Sequence, residues 1–247
     1  MSMAAAPEPL ADNVPTLQLV NVYAGYGPFR AIFDISLAVA RGSVLALLGS
    51  NGSGKTTIAR VCSGLIEPTA GAVLLAGQDM THQRVSNYAR LGVVHAPEGR
   101  SVFSSLTVEE NLELTFRRSR GRAGVKPALE EAYGMFPRIG ERRTQLAGTL
   151  SGGEQRMLSL ARVLVEKPKL LIADELSLGL APIIVDEVYH TLETIRDGGT
   201  TLMIVEQHVH HALQLADTAV VLVKGEVAYS GPVSELGDVQ ARVMGDA

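Results

Sequence analysis

The segment from Gly49 to Thr56 carries the residue types that bind the phosphates of a nucleotide. It reads Gly-Ser-Asn-Gly-Ser-Gly-Lys-Thr and matches the pattern G-x-x-x-x-G-K-[ST]. Its glycines let main-chain N–H groups converge on one anion, and a following helix adds free N–H groups. Lys55 would reach the β- and γ-phosphates, Thr56 would offer its hydroxyl to Mg²⁺, and Thr57 would bind the α-phosphate. The expected nucleotide-binding residues here are Gly49, Ser50, Asn51, Gly52, Ser53, Gly54, Lys55, Thr56 and Thr57.

Two neighbouring carboxylates, Asp174 and Glu175, could complete the chemistry of such a site. They follow the apolar residues 170–173, which predict a buried strand. At the carboxyl end of a parallel strand they would face the crevice in which α/β folds bind ligands. Asp174 would hold Mg²⁺ through water, and Glu175 would polarise the attacking water as general base. Together, the loop and the carboxylates predict a nucleoside-triphosphate-binding site. They do not distinguish among GTPases, kinases, helicases and transport ATPases.

Short apolar runs that alternate with helical stretches predict the α/β fold that would position these residues. The predicted strands cover residues 17–22, 44–48, 91–95, 170–173 and 200–205, and a hairpin is predicted over 218–229 around Lys224-Gly225. Helices are predicted over 56–62, after the glycine loop, and over 151–166, before Pro168.

Charged helical sequence replaces the apolar runs between residues about 100 and 165. This change predicts a helical subdomain inserted into the α/β core. Thr107 begins a capping-box pattern that opens one of its helices. Residues 117–124 are rich in arginine and glycine and predict an exposed loop. Its arginines could meet phosphate or lipid headgroups, but we favour a solvated face.

The composition excludes several classes of protein. The chain has 247 residues, 46% hydrophobic and 19% charged, which excludes disorder over most of its length and suits one large domain or two tightly joined subdomains. Its net charge of −4 argues against a general nucleic-acid binder. The single cysteine, Cys62, cannot form a disulfide within the chain. No apolar run approaches the length of about 20 residues that a membrane helix needs, and residues 1–15 are expected to form a flexible tail.

The segment Leu150-Ser-Gly-Gly-Glu-Gln155 narrows the class of nucleotide-binding protein. As a helix start it would leave N–H groups and the Ser151 hydroxyl free to bind an anion. The segment matches the signature of ATP-binding-cassette (ABC) ATPases, and the chain resembles that family over about residues 17–245. The resemblance implies a P-loop NTPase (RecA-like) core with an N-terminal antiparallel β subdomain and an inserted α-helical subdomain. It also implies ATP and Mg²⁺ as cofactors.

The resemblance further implies a head-to-tail dimer with a second ABC ATPase subunit. In the family, each ATP is held between the phosphate loop of one subunit and the signature of the other. Ser151 and Gly153 would then touch the γ-phosphate bound by the partner. The residues assigned to the partner's nucleotide are Ser151, Gly152, Gly153, Glu154 and Gln155.

Four other positions follow from the resemblance. Tyr26 stands where the family stacks an aromatic ring on adenine. Glu98 stands where most members have glutamine. Gln207 aligns best with the switch histidine of the catalytic site, and His208 lies one residue after that aligned position. Because Gln207 donates as a neutral amide, we expect an intrinsically slow site.

Several segments resemble the LivF-type ATP-binding subunits of bacterial branched-chain amino acid importers. They are residues 97–100, 106–112, 145–150, 178–182 and 205–207. This resemblance implies two transmembrane permease subunits, an extracytoplasmic solute-binding protein as an indirect partner, and a place on the inner face of a bacterial membrane. We expect the permease contact near Phe103 and Leu106, and no nucleic-acid partner or structural metal.

Alternatives remain open at this point. The cassette could serve another cargo, such as urea, other amides or lipopolysaccharide, because the permeases and the binding protein choose the cargo. A soluble ABC ATPase that acts on DNA would need a long coiled coil between the loop and the signature, and sustained heptads are missing there. One that acts on ribosomes would carry two cassettes, and this sequence contains one. A scaffold without turnover would not need Glu175. The predicted domains are a tail over 1–15 and an ABC domain over 16–245.

Overall fold

Two β-sheets and seven α-helices form the part of the chain that the computed structural model describes, which is residues 14–97, 99, 102–207 and 209–237. The strands are β1 Leu17–Tyr26, β2 Phe29–Val39, β3 Val44–Gly49, β4 Ala70–Leu75, β5 Gln78–Asp79, β6 Val93–Ala96, β7 Leu170–Asp174, β8 Thr201–Glu206, β9 Thr218–Val223 and β10 Glu226–Pro232. The helices are α1 Lys55–Cys62, α2 Val85–Arg90, α3 Val108–Met135, α4 Pro137–Glu141, α5 Gly152–Leu164, α6 Pro182–Asp197 and α7 Val209–Leu215.

The larger sheet has the strand order β10-β9-β3-β8-β7-β6 and is parallel except for β10. Every residue of β3, β7 and β8 is buried, which explains their continuous apolar runs. Because these strands are parallel, β3 and β7 end at the same edge with only β8 between them. This topology confirms the predicted P-loop core and places the phosphate loop near the carboxylates.

The smaller sheet has the order β2-β1-β4-β5 and is antiparallel. Its buried side chains, such as Leu19 and Ile35, share one core with Ile58 and Val61 of α1. The N-terminal end of α1 follows the phosphate loop directly. The predicted N-terminal antiparallel subdomain is therefore present and supports the helix that follows the loop.

Three helices, α3, α4 and α5, lie between β6 and β7 as the predicted helical insertion. Thr107 caps α3: its Oγ1 accepts from the N–H of Glu110 at 3.1 Å, and its own N–H donates to Glu110 Oε2 at 2.7 Å. Phe116 of α3 and Leu158 of α5 are fully buried in the same core as Ala173 of β7. The insertion thus packs directly on the sheet that carries the carboxylates.

The prediction of a loop over residues 117–124 is wrong. Helix α3 continues through this segment with one break at Gly121, whose φ is +68°. Arginine and alanine favour helix, so a single glycine kinks the helix without ending it. Two of the four arginines are also engaged: Arg117 pairs with Glu113 at 3.2 Å, and Arg120 pairs with Glu131 at 3.4 Å. These ion pairs support the solvated-face interpretation of the basic cluster.

Within the described residues, no helix combines the length and the apolar character that crossing a membrane requires. Most of the predicted tail, residues 1–13, and the end of the predicted domain, residues 238–245, lie outside the described part of the chain. The domain boundaries therefore stay predictions.

Candidate nucleotide-binding site

The phosphate loop joins the end of β3 to the start of α1. Gly54, the residue before α1, has a φ of +105°, and a Cβ there would lie 2.7 Å from Ile32 Cγ2. A Cβ at Gly49 would lie 2.6 Å from the carbonyl oxygen of Leu222. Only glycine fits these two positions, so the pattern of the loop has a steric cause. The exposed residues of the loop are Ser50, Asn51 and Gly52, whereas Ser53, Lys55 and Thr57 are buried.

Lys55 connects this loop to the carboxylates. Its Nζ donates to the carbonyl oxygens of Gly49 at 2.9 Å and of Ser50 at 3.1 Å. The same Nζ lies 3.7 Å from Glu175 Oε1. A buried ammonium held by main-chain carbonyls can exchange them for phosphate oxygens without leaving the loop, which is the role expected of this lysine.

Asp174 is buried at the end of β7, and its two carboxylate oxygens differ. Oδ2 lies 3.6 Å from Nε2 of His95 on β6, while Oδ1 is buried and has no hydrogen-bond partner among the described residues. The other ring nitrogen of His95, Nδ1, is 3.2 Å from the hydroxyl of Ser63, which follows α1. One carboxylate oxygen therefore lies near the His95 ring without a hydrogen bond to it, and the other has no hydrogen-bond partner among the described residues.

Glu175 occupies an unusual main-chain conformation. Its φ is +47°, a left-handed value that costs a residue with a side chain roughly 1–2 kcal/mol. Two contacts to β8 hold this turn: the N–H of Glu175 donates to the Val205 carbonyl at 2.8 Å, and Ser177 binds Glu206. The Glu206 carboxylate accepts from Ser177 N at 3.0 Å and from Ser177 Oγ at 2.9 Å.

Glu206 is itself almost completely buried, with 1% of its surface exposed. Tyr189 of α6 lies beside it, and burial, followed by the negative charge of Glu206, raises the pKa of the Tyr189 hydroxyl above its usual range. The residue after Glu206 is Gln207, so the contact made by Ser177 joins the turn that contains Glu175 to the segment that contains the expected switch residue.

A buried arginine, Arg156, reaches the same turn from the helical insertion. It lies on α5 directly after the signature segment and is 5% exposed. Its Nη2 donates to the carbonyl oxygens of Asp174 at 3.3 Å and of Glu175 at 3.1 Å. Its Nη1 donates to the carbonyl oxygens of Pro97, at 3.0 Å, and of Gly99. One guanidinium thus connects α5 with the main chain at the ends of β6 and β7.

The signature segment starts α5 with a capping box. Ser151 Oγ accepts from the N–H of Glu154 at 3.3 Å, and Glu154 Oε2 accepts from the N–H of Ser151 at 2.8 Å. The expectation that the Ser151 N–H is free is therefore wrong, because the Glu154 carboxylate binds it. The Ser151 oxygen is the acceptor in the box, so its hydroxyl proton can be donated either to the Glu154 carboxylate or to an anion that takes the place of that carboxylate.

Contacts within the helical insertion fix the side chains of Glu154 and Gln155. Arg142 pairs with Glu154 at 2.7 Å. Burial raises the pKa of the Glu154 carboxyl, but the hydrogen bonds from Ser151 and the charge of Arg142 outweigh burial and leave that pKa below its usual range. Gln155 is buried and donates to the carbonyl oxygen of Ala147 at 2.9 Å. Its side chain therefore faces its own subdomain, whereas Gly152 and Gly153 stand at the helix start.

Of the remaining four predicted site residues, the structure describes two. Tyr26, at the end of β1, is 46% exposed, and its hydroxyl accepts from Arg60 of α1 at 3.0 Å. Gln207 is exposed directly after β8. Glu98 and His208 lie outside the described residues. Stacking of Tyr26 on adenine, and the roles assigned to the other three positions, remain predictions.

Three functional candidates were missed by reasoning from the sequence: His95, Arg156 and Glu206. His95 was recognised only as part of a strand, and a polar residue inside an apolar run was a usable signal. Glu206 similarly ends an apolar strand next to Gln207. Arg156 follows the signature without any pattern that distinguishes it from a surface arginine, so only the fold reveals that it is buried.

The fold, the phosphate loop and the paired carboxylates define a nucleoside-triphosphate-binding protein of the P-loop class. A family model described as ABC transporter matches residues 32–177, more than half of the chain. The chain belongs to the ABC transporter family, and its activity is therefore ATP hydrolysis.

Named relatives agree with this assignment. The chain is 41% identical over 203 residues to the high-affinity branched-chain amino acid transport ATP-binding protein BraG of Pseudomonas aeruginosa, covering 82% of this chain and 86% of the relative. It is 35% identical over 221 residues to the probable branched-chain amino acid transport ATP-binding protein LivF of Archaeoglobus fulgidus, covering 89% and 93%. A crystal structure of the ADP conformation of an ATP-binding cassette shares the fold, with a TM-score of 0.80, 22% identity and coverage of 93% and 97%.

Proposed function

We propose that this ABC ATPase energises the import of branched-chain amino acids through two transmembrane permease subunits at the inner face of a bacterial membrane. The observation that carries the catalytic part is the approach of Lys55 Nζ to Glu175 Oε1, at 3.7 Å. It joins the phosphate loop to the general base in one buried site. The cargo is inferred from the relatives BraG and LivF.

The chain's own residues account for the steps of hydrolysis. Lys55 and the loop N–H groups hold the β- and γ-phosphates, and Gln207 donates to the γ-phosphate. Glu175 accepts a proton from water as the water oxygen bonds to the γ-phosphorus and the bond to the bridging oxygen of ADP breaks. The products are ADP and phosphate. Positioning and electrostatics supply most of the acceleration in this type of reaction.

The residues present fit Mg²⁺ as the ion that accompanies ATP. Asp174 Oδ1 is buried and lacks a hydrogen-bond partner within the described residues. Mg²⁺ prefers oxygen ligands and usually keeps several waters. Thr56 would bind the ion through its hydroxyl, and Asp174 would bind it through water. When bound, Mg²⁺ neutralises charge on the β- and γ-phosphates.

We assign the signature segment to the nucleotide of a second ATPase subunit in a head-to-tail dimer. Ser151 can donate its hydroxyl proton, and the N–H groups of Gly152 and Gly153 lie in the first turn of α5. We assign the permease contact to the surroundings of Phe103, because this aromatic residue is 47% exposed. Asn111, fully buried, fixes the main chain of Phe103 through both its N–H and its carbonyl.

Phosphate release by the purified chain tests the catalytic part of the proposal. Lys55→Ala should abolish measurable ATP binding and turnover, because it removes the charge that holds the β- and γ-phosphates. Lys167→Ala is the matched control, since the Lys167 side chain is 73% exposed and pairs with Glu131, away from the phosphate loop. Wild-type turnover in Lys55→Ala would contradict the site.

Uptake by cells tests the cargo. A strain in which the chain is replaced by Lys55→Ala should lose uptake of radiolabelled leucine, isoleucine and valine, and the Lys167→Ala strain should retain it. Unchanged amino-acid uptake, together with a defect in urea uptake or in lipopolysaccharide export, would replace the cargo assignment with one of those alternatives.

A further inference from the structure

Arg156 stands out because its guanidinium binds main-chain atoms of segments that are distant in sequence. It donates to the carbonyls of Asp174 and Glu175 on one side and of Pro97 and Gly99 on the other. A guanidinium is a planar fork with five donors, so one side chain can satisfy both segments at once. Because the side chain is 5% exposed, its contacts are with the protein rather than with bulk water.

These contacts fall where the main chain of the general base is strained. Glu175 has a φ of +47°, and such a conformation persists only when its surroundings determine it. The carbonyl of Glu175 is held by Arg156 from α5, and its N–H is held by Val205 from β8. The peptide groups on both sides of the Glu175 Cα are therefore fixed, and they set the direction of its side chain.

We propose that Arg156 is a positioning residue that sets the Glu175 turn from the signature helix α5. The side chain does not touch the reacting atoms. It acts by holding the carbonyls of Asp174 and Glu175, and it makes the position of the base depend on the helix that Ser151 caps. This inference rests on the proposed function, because it takes Glu175 to be the base.

The test compares Arg156→Lys with Arg162→Lys in the full chain. Lysine keeps the charge at position 156, but its compact ammonium cannot replace a planar fork. Arg162 is the matched control because it lies further along α5 and binds Thr115 and the ring of Phe103 instead of the catalytic turn. We expect Arg156→Lys to lower kcat by about 10- to 100-fold, as a misplacement of about 1 Å does, with ATP affinity unchanged. Arg162→Lys should leave kcat unchanged.

A second comparison uses the Glu175→Gln background. If Arg156 acts through Glu175, Arg156→Lys should cost little additional activity once the base is gone, because residues that act as a unit are not additive. A stability defect would instead lower the rate equally in both backgrounds. Arg156→Gln, a shorter neutral donor, repeats the measurement with a different side chain.

The possible outcomes separate the inference from the proposed function. An equal loss of kcat in Arg156→Lys and Arg162→Lys would overturn the inference, and so would an undiminished effect in the Glu175→Gln background. Failure of both Arg156 variants to fold would also overturn it, because Arg156 would then support the core rather than the turn. Full turnover in Glu175→Gln alone would instead refute the proposed function.

Discussion

The contact between Ser177 and Glu206 should matter for both stability and turnover. Ser177→Ala removes the hydrogen bond of 2.9 Å from Ser177 Oγ to the buried Glu206 carboxylate and leaves the bond of 3.0 Å from the Ser177 N–H. The two residues join the Glu175 turn to the end of β8. The substitution therefore weakens one of the contacts that hold the turn and leaves the main-chain bonds of the sheet intact.

The size of the effect follows from the partner's charge and burial. A hydrogen bond to a charged group contributes roughly 1.5–3 kcal/mol, against about 1 kcal/mol between neutral groups. The left-handed conformation of Glu175 costs roughly 1–2 kcal/mol. The free energy of the hydrogen bond that Ser177→Ala removes is therefore comparable to the cost of the left-handed conformation that this bond helps to maintain. We expect the free energy of unfolding of Ser177→Ala to fall by roughly 1.5–3 kcal/mol and its kcat to fall as well.

Urea unfolding and steady-state phosphate release measure the two effects. Ser43→Ala is the control, because the Ser43 hydroxyl donates to the neutral carbonyl of Ala40 at 2.9 Å, before the start of β3 and away from the site. Its unfolding free energy should change by no more than about 0.5 kcal/mol. If Ser177→Ala loses no more stability than Ser43→Ala and keeps full kcat, the contact with Glu206 does not hold the turn.

Three shorter predictions concern the signature, the switch position and pH. Ser151→Arg should bind ATP normally as an isolated subunit and yet block turnover, and a loss of affinity comparable to that of Lys55→Ala would argue against the trans arrangement. Gln207→His should raise kcat, because a charge-assisted hydrogen bond is about twice as strong as a neutral one; an unchanged rate would contradict the slow-site prediction. Because the pKa of Glu154 is lowered in the folded protein, this carboxylate stabilises the fold at pH values above its unfolded pKa of about 4.3, and the stabilisation is lost as pH falls through the folded pKa. The difference in urea stability between wild type and Glu154→Gln should therefore shrink on acidification. A difference that stays unchanged with pH would refute this prediction.

The parts of the fold that the sequence predicts are those with a local cause. Buried parallel strands need continuous apolar runs, so β3, β7 and β8 are visible without a structure. The phosphate loop is visible because only glycine fits the strained Gly54. The capping box at Thr107 is also local, since both of its hydrogen bonds are made within four residues.

The parts that the sequence does not predict depend on contacts between distant segments. The Arg156 guanidinium binds carbonyls at residues 97 and 175, and the Glu206 carboxylate binds Ser177, yet neither side chain carries a local mark of burial. The arginine-rich segment before Gly124 reads as a loop by composition. It is helical because ion pairs such as the one between Arg117 and Glu113 suit a helix and one glycine does not end it.

The most direct test of the account is hydrolysis by Glu175→Gln, a change that keeps the shape of the side chain and removes its basicity. ATP binding should remain intact, phosphate release in a single turnover should slow by about 10²- to 10⁴-fold, and the variant should accumulate as an ATP-dependent dimer or complex. Glu193→Gln, at a half-exposed glutamate on α6, controls for the loss of a charge. Phosphate release at the wild-type rate from Glu175→Gln would contradict the account.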